Sequence, residues 1–538
     1  MGTLWHNGTI YTMRNEGEIV EAIYVDGGVI KAIGTVSELE KRFENDYIQK
    51  VDLNNHVLYP GFVDSHMHLI GHGEKLLRLD LSEYRTSQKM KKAIMEKVSH
   101  AKEGEWIIGE GWNENSLPDR KIFHRTELDE IAPNNPMILK RVCRHALIAN
   151  SRALEIAGIT RETADPNGGA IVRDELGEAT GYLLDQAQEL VKNVIPPISI
   201  QELKRALTVS VKDLHRLGLT GGHTEDLSYY GGFRRTAQSF IDVIDGENIK
   251  FRAHLLVHHS VVDDYRAAND IRSMQNEFIE FGAMKIFSDG ALGGRTALLS
   301  EPYSDAPETS GLSIHSVEAL HELFKQARQY KMNVAVHAIG DLAAQYTIEA
   351  MEKFPPVAGG RDRLIHGQIM RKDLIDRVKL LPVIFDIQPT FTSSDFPWVV
   401  ERLGKERMTY SYAWKTLLKE GIHCAGGSDA PIEEVNPLLG IFAAVTRAHP
   451  ERPELTYGQE QCLTMFEAIQ LFTAGSAYAI GLEEQRGKIE VGFDADFTVL
   501  NKDLFQIKHE EILETKVELT VVDGTIMYRR EELSNKVT

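Results

Sequence analysis

The hydrophobic pattern of the chain changes character twice. Residues 2 to 60 alternate short β-rich runs with Gly or Asn turns: Leu4 to Ile10, Ala22 to Val25, Val29 to Ile33 and Val57 to Leu58, with Asp26-Gly27-Gly28 as a hairpin signal. The same texture returns at Gly487 to Ile489, Ala495 to Leu500 and Val517 to Val522, with Asp523-Gly524 before Thr525 to Tyr528. Two β-rich ends around a different middle predict one small β-sandwich assembled from both termini, residues 1–57 and 485–538.

Between residues 58 and 484, apolar β-like runs alternate with helical patterns, the signature of repeated βα units. Ser316 to Tyr330, for example, carries Val317, Leu320, Leu323, Phe324 and Ala327 at helical spacing. Eight runs read as strands: Val57 to Val63, Leu219 to His223, Phe251 to Val257, Ala283 to Phe287, Asn333 to Val336, Arg363 to Ile365, Val383 to Ile387 and Ile422 to Ala425. Eight βα units close a TIM barrel, so the expected class is α/β, a (β/α)8 barrel with the terminal sandwich attached. The first and second strands are too far apart for an ordinary crossover, and residues 70–205 therefore read as an inserted subdomain. An insertion after a barrel strand lies on the catalytic face and suits a lid or substrate wall, although a purely structural excursion fits the spacing equally well.

Composition narrows the classes. Of 538 residues, 42% are hydrophobic and 26% charged, as in globular proteins with a sizeable core. Basic residues number 60 against 79 acidic ones, a net charge of -19, and no long Lys/Arg run is present; this argues against nucleic acid as a partner. Cys143, Cys424 and Cys462 are widely spaced, with no C-x-x-C, which supports neither a disulfide framework nor a cysteine zinc site and fits a reducing cytoplasm. The N-terminus lacks a basic segment followed by an apolar one, and no apolar stretch approaches the ~18 residues of a membrane span. The expectation is a cytoplasmic protein that acts on a small molecule, with no nucleic-acid or membrane partner and no objection to a homodimer.

The chemistry of such barrels sits at the C-terminal ends of the strands. The first strand runs into Asp64-Ser65-His66-Met67-His68. On extended backbone, residues i and i+2 share a face, so His66 and His68 can close on one ion. A pair is not yet a site, because a catalytic ion needs three or more protein ligands. Later strand ends supply Lys285, His337, His366 and Asp429. Taken singly, each has an ordinary reading as a loop cap, a solvated charge or a turn residue. Their coincidence at successive strand ends argues for a metal centre.

The order of Pro60-Gly61-Phe62-Val63-Asp64-Ser65-His66-Met67-His68, a strand-four lysine, strand-five and strand-six histidines and a strand-eight aspartate resembles the amidohydrolase superfamily over nearly the whole chain. Lys285 to Gly293, Val336 to Asp341 and Gly427 to Pro431 resemble its YtcJ-like branch, which includes N-substituted formamide deformylase. The resemblance implies a metal-dependent hydrolase of non-peptide C–N bonds, in formamides, N-acyl compounds or other amides, working through a metal-activated hydroxide. It implies that His66, His68 and Asp429 hold the more buried divalent ion, zinc first, and that His337 and His366 hold a second, for one or two ions per chain. Lys285 can ligate only as a free amine or as a carbamate, since an ammonium has no lone pair; a carbamate would bridge two ions, whereas an ammonium would contact substrate beside one. Asp429 would act as general acid/base. A metal-dependent deaminase of an amino-heterocycle on the same barrel is the alternative.

Substrate contacts are expected from Trp112 and His145, because Gly109 to Asn113 and Arg144 to Asn150 resemble family segments that reach the pocket, and from Asp289 and Arg295 after the fourth strand. Core packing for Trp112, a surface position for His145 and a loop salt bridge for the last two stay open. His223, His254 and His258 are expected to pack or line the pocket. Gly290 to Gly294 lacks the G-x-x-x-x-G-K phosphate cradle, and no G-x-S-x-G elbow occurs.

Overall fold

The computed structural model describes residues 2–46, 48–114, 117–141, 146–274 and 276–531. Its centre is a parallel sheet of eight strands paired in chain order: β1 (Phe62–Met67), β2 (Leu219–Thr224), β3 (Arg252–His258), β4 (Ile279–Phe287), β5 (Val334–Ala338), β6 (Asp362–His366), β7 (Val383–Ile387) and β8 (His423–Gly426). Every residue of β2, β5, β6 and β7 is buried, as parallel strands covered on both faces require. Between β4 and β5 the helix Val317–Gln329 buries Leu320, Phe324 and Ala327, and the Ser316 hydroxyl caps it by accepting the Ala319 N–H.

The first strand begins later than its apolar run. Val57–Pro60 is a separate strand paired with Thr9–Tyr11 and Phe497–Leu500, and the chain enters the barrel only at Phe62. Gly61 marks the crossing, where a Cβ would lie 2.4 Å from the Thr220 hydroxyl oxygen.

No ladder joins β8 to β1. The loop after β8 closes the barrel instead: Asp429 N–H donates to the His66 carbonyl and His68 N–H to the Ala430 carbonyl, each at 2.7 Å. The buried Asp64 carboxylate accepts the Ser428 N–H at 3.0 Å. This closure presses the loop carrying Asp429 against the two strand-one histidines.

Two further sheets lie in the same compact unit. One joins Gly2–His6, Ala22–Asp26, Val29–Gly34 and Ile48–Asp52. The other mixes N-terminal strands with Phe497–Leu500, Val517–Val522 and Thr525–Arg529. Trp5, Ile23, Leu58, Phe493, Phe497 and Val521 share one buried cluster, in which the Trp5 and Phe497 rings meet edge-on at 5.6 Å.

The helix Ile200–Arg216 adds a titratable group to the interior. His215 Nε2 lies 3.0 Å from the Lys250 carbonyl oxygen, and burial pushes the imidazole down from 6.5 to about 4. The fold therefore favours neutral His215; the associated stability is present above the unfolded pKa and is lost as pH falls from 6.5 towards about 4. The expected loss is roughly 3 kcal/mol. Urea unfolding across this range should show it, and His215→Gln should flatten the slope; an unaltered slope would remove His215 from the account.

The inserted region forms a second compact unit, Gly73–Ser199, inside the expected 70–205. It has a six-stranded sheet in the order Gly169–Arg173, Ala179–Asp185, Ala146–Ala149, Met137–Arg141, Ile107–Trp112 and Leu79–Asp80. Residues 200–205 belong with the barrel because the helix they begin buries Leu203, Ala206, Leu207 and Val211 there. Among the described residues, no helix is long and apolar enough to cross a membrane.

Candidate metal centre

His66 and His68 leave the end of β1 on one face, and each Nε2 lies 3.5 Å from Asp429 Oδ1. The His366 ring, at the end of β6, stands 5.4 Å from His66 and 4.6 Å from His337, which comes from β5. Ligand atoms of His66, His366 and Asp429 lie within 4.8 Å of one another. Two of these groups sit on left-handed backbone, His366 at φ 73 and Asp429 at φ 57. Such conformations cost of order 1–3 kcal/mol outside glycine and persist where the surroundings impose them. Here the barrel closure imposes the one at Asp429.

The hydrogen bonds of the histidines choose their tautomers. A carbonyl only accepts, so His68 Nδ1–H donates to Glu225 O at 2.8 Å and His337 Nε2–H to Gly290 O at 3.0 Å. His366 Nδ1–H donates to Gln388 Oε1 at 2.7 Å; the Gln388 amide is oriented by its own N–H bond to the Asp386 carbonyl at 3.1 Å. Nε2 of His366 and Nδ1 of His337 are thereby left as lone-pair donors, and Nε2 of His68 becomes one when the proton it shares with Asp429 is displaced.

Lys285 is fully buried, its Nζ has no hydrogen-bond partner among the described residues, and it lies 4.6 Å from the Phe287 ring centroid. Burial draws its amine down from 10.5 to about 8, against the opposing charges of Glu225, Asp429 and Asp386. Burial and the neighbouring Lys285 hold His66 well below the usual imidazole range, and burial brings His366 to about 4. His68 alone moves up, to about 9: burial opposes protonation, but the Asp429 contact outweighs it. Burial would raise Asp429 as well, yet His68, His366 and Lys285 hold its carboxyl below the ordinary value. Buried nitrogen donors around a carboxylate, with His66 Nδ1 and Lys285 Nζ unpartnered, fit a divalent ion of the zinc type.

Beneath this layer Arg363 and Asp386 form a buried ion pair at 2.8 Å. Arg363 Nη2–H also donates to the Ser65 carbonyl at 2.7 Å, one residue before His66, and approaches His223 Nδ1 at 3.2 Å. His223 and His254 pack ring to ring at 5.1 Å. His258 accepts the Ser260 N–H at the end of β3.

The expected substrate contacts fare differently. Asp289 is buried, and its carboxylate accepts backbone N–H groups from Leu298 and Gly340 at 2.8 Å and from Ile339 at 3.0 Å. It is committed to holding the loop after β4 against β5, a correction to its placement as a substrate contact. Arg295 is paired with Asp305 at 2.8 Å, the loop salt bridge. Trp112 lies in the core of the inserted unit, its indole N–H donating to the Leu139 carbonyl at 2.9 Å. Packing occupies it, so its placement as a substrate contact is corrected too. Cys143 and His145 lie outside the described residues. Glu225, Asp386 and Gln388 escaped the sequence reading, although Asp386 is an acidic residue inside an apolar strand and Glu225 directly follows β2.

The model of the Amidohydrolase family matches residues 49–528. The chain belongs to that family. Its relatives include the amidohydrolase YtcJ of Bacillus subtilis (strain 168), 48% identical over 98% of this chain and 100% of the other. N-substituted formamide deformylase of Arthrobacter pascens is 26% identical over 97% and 98% of the two chains. Among solved structures, an uncharacterized metal-dependent hydrolase from Pyrococcus furiosus superposes with a TM-score of 0.78 at 26% identity, covering 94% of this chain and 100% of that one. These family relations place the chain among metal-dependent amidohydrolases, on the barrel fold read from its strands.

Proposed function

We infer that the chain hydrolyses a non-peptide C–N bond of a small amide, a formamide or N-acyl compound, with Asp429 as general acid/base. The observation that carries this reading is Asp429 Oδ1 standing 3.5 Å from Nε2 of both His66 and His68, beside a buried, unpartnered Lys285 Nζ. His66, His68 and Asp429 would hold one divalent ion, zinc first, and His337 and His366 a second. When bound, such an ion acts as a Lewis acid on a carbonyl oxygen and makes water nucleophilic near neutral pH.

The remaining steps belong to the chain. Asp429, kept ionised by its cationic surroundings, accepts the proton of the attacking water and returns it to the leaving nitrogen. Barrel closure aims it, since its backbone is bonded to His66. Burial draws the Lys285 amine down to about 8, which leaves a free-amine fraction that attacks carbon dioxide; a C–N bond forms, one amine proton leaves, and the resulting anionic carbamate would suit a site that holds two ions. Tyr229, Phe287 and Phe391 place aromatic rings 6.0, 5.0 and 6.0 Å from His68, His337 and His366, walls suited to an uncharged amide.

Metal-reconstituted protein should be offered N-formyl, N-acyl and cyclic amides alongside amino-heterocycles. Release of a carboxylic acid and an amine is expected from the amides; ammonia from the heterocycles alone would overturn the assignment in favour of deamination. Reconstitution with carbon dioxide excluded should lower the bound metal from two equivalents per chain to one. One equivalent under both conditions would sink the bridging role of Lys285.

A further inference from the structure

Glu225 follows β2 and has no part in the ligand set inferred above, yet both its backbone and its side chain are built into His68. Its N–H donates to the Met67 carbonyl at 3.1 Å, which pins the end of β2 to the end of β1. Its carbonyl accepts His68 Nδ1–H at 2.8 Å. Its carboxylate, fully buried, has Oε2 3.8 Å from the same Nδ1, on the side of the ring away from the Nε2 that faces Asp429. The Tyr229 hydroxyl donates to Oε2 at 2.7 Å, and the Tyr229 ring lies 6.0 Å from His68. Oε1 is buried without a hydrogen-bond partner among the described residues.

The neighbouring acid, Asp226, has an evident structural use, since its Oδ2 accepts the Thr224 hydroxyl at 2.6 Å and the Ile70 N–H at 3.1 Å. Glu225 has no such anchor beyond Tyr229. A carboxylate buried with one oxygen unpartnered is costly unless positive charge stands close by. Among the described residues no Lys or Arg lies within ion-pair distance of it; His68 is its only ion-pair partner there, and Lys285 also acts on it as an opposite charge. Negative charge behind a ligating imidazole makes its far nitrogen a stronger donor, and a backbone acceptor on the near nitrogen fixes the tautomer.

We propose that Glu225 is a positioning residue of the metal centre: its carbonyl selects the His68 nitrogen turned towards the ion, and its carboxylate, held by Tyr229, strengthens that donor. This rests on the reading of His68 as a ligand.

The test is cobalt(II) affinity of the metal-stripped full chain, measured by competition with a chromophoric chelator and by the cobalt ligand-field spectrum. Glu225→Gln is expected to weaken binding about 10–100-fold and to shift the spectrum. Tyr229→Phe, a change at a side chain 53% exposed, should weaken binding in the same direction with the melting temperature of the metal-free protein unchanged. Folded Glu225→Gln with wild-type affinity and spectrum overturns the proposal. If that variant does not fold, Tyr229→Phe decides alone, and wild-type affinity there overturns it equally. Wild-type protein that binds no cobalt refutes the metal reading itself, a result separate from either.

Discussion

Asp429→Asn is expected to retain bound metal and to lose turnover by roughly 10²–10⁴-fold, the usual contribution of a positioned general acid/base. The substitution isolates chemistry from folding. Asp429 occupies left-handed backbone at φ 57, which asparagine tolerates about as well as aspartate and most other residues do not. Asparagine also keeps one oxygen near His66 and His68, so a ligand position survives. What disappears is the negative charge and the ability to accept a proton from water. Metal analysis should therefore return the wild-type value while turnover collapses. Near-normal turnover would exclude Asp429 as the proton carrier and leave it a ligand only.

The second large effect is on stability. Arg363→Met is expected to cost about 3–5 kcal/mol, because it leaves Asp386 ionisable, buried and without its guanidinium. The pair is inaccessible to solvent, and Arg363 also supplies the donor to the Ser65 carbonyl, so the loss reaches the residue preceding His66. Replacing both partners, Arg363→Met with Asp386→Leu, should recover most of the stability, since an apolar pair of similar volume avoids desolvating two charges. Urea unfolding of the single and double variants checks both parts. A single variant within about 1 kcal/mol of wild type would show that the pair is not the keystone of the barrel interior.

Legibility followed the range of the interaction. Short apolar runs alternating with helical patterns are enough to locate eight strands, because each strand is a local property of such a run. Val57 to Val63 misled at its start for the same reason: apolar character continues through Pro60, and only pairing with Phe497–Leu500 shows that its first half belongs to another sheet. Asp289 and Glu225 make the complementary case. Both are acids just beyond a barrel strand and both stand near a histidine of the site, Asp289 Oδ1 3.5 Å from His337 Nε2 and Glu225 Oε2 3.8 Å from His68 Nδ1; nothing in the adjacent residues tells that backbone amides occupy the carboxylate of Asp289 but not that of Glu225.

The sequence by itself determined the residue types proposed to bind metal and their places at successive strand ends, because residues i and i+2 of a strand must share a face and strand ends of a parallel barrel must share a rim. Only the tertiary structure decided which nitrogen each histidine presents, why Asp429 lies against His66 and His68, and that Asp289 holds a loop. Those outcomes depend on hydrogen bonds between segments hundreds of residues apart, such as Asp429 N–H to the His66 carbonyl, and a buried polar group takes whichever partner the closed barrel brings to it.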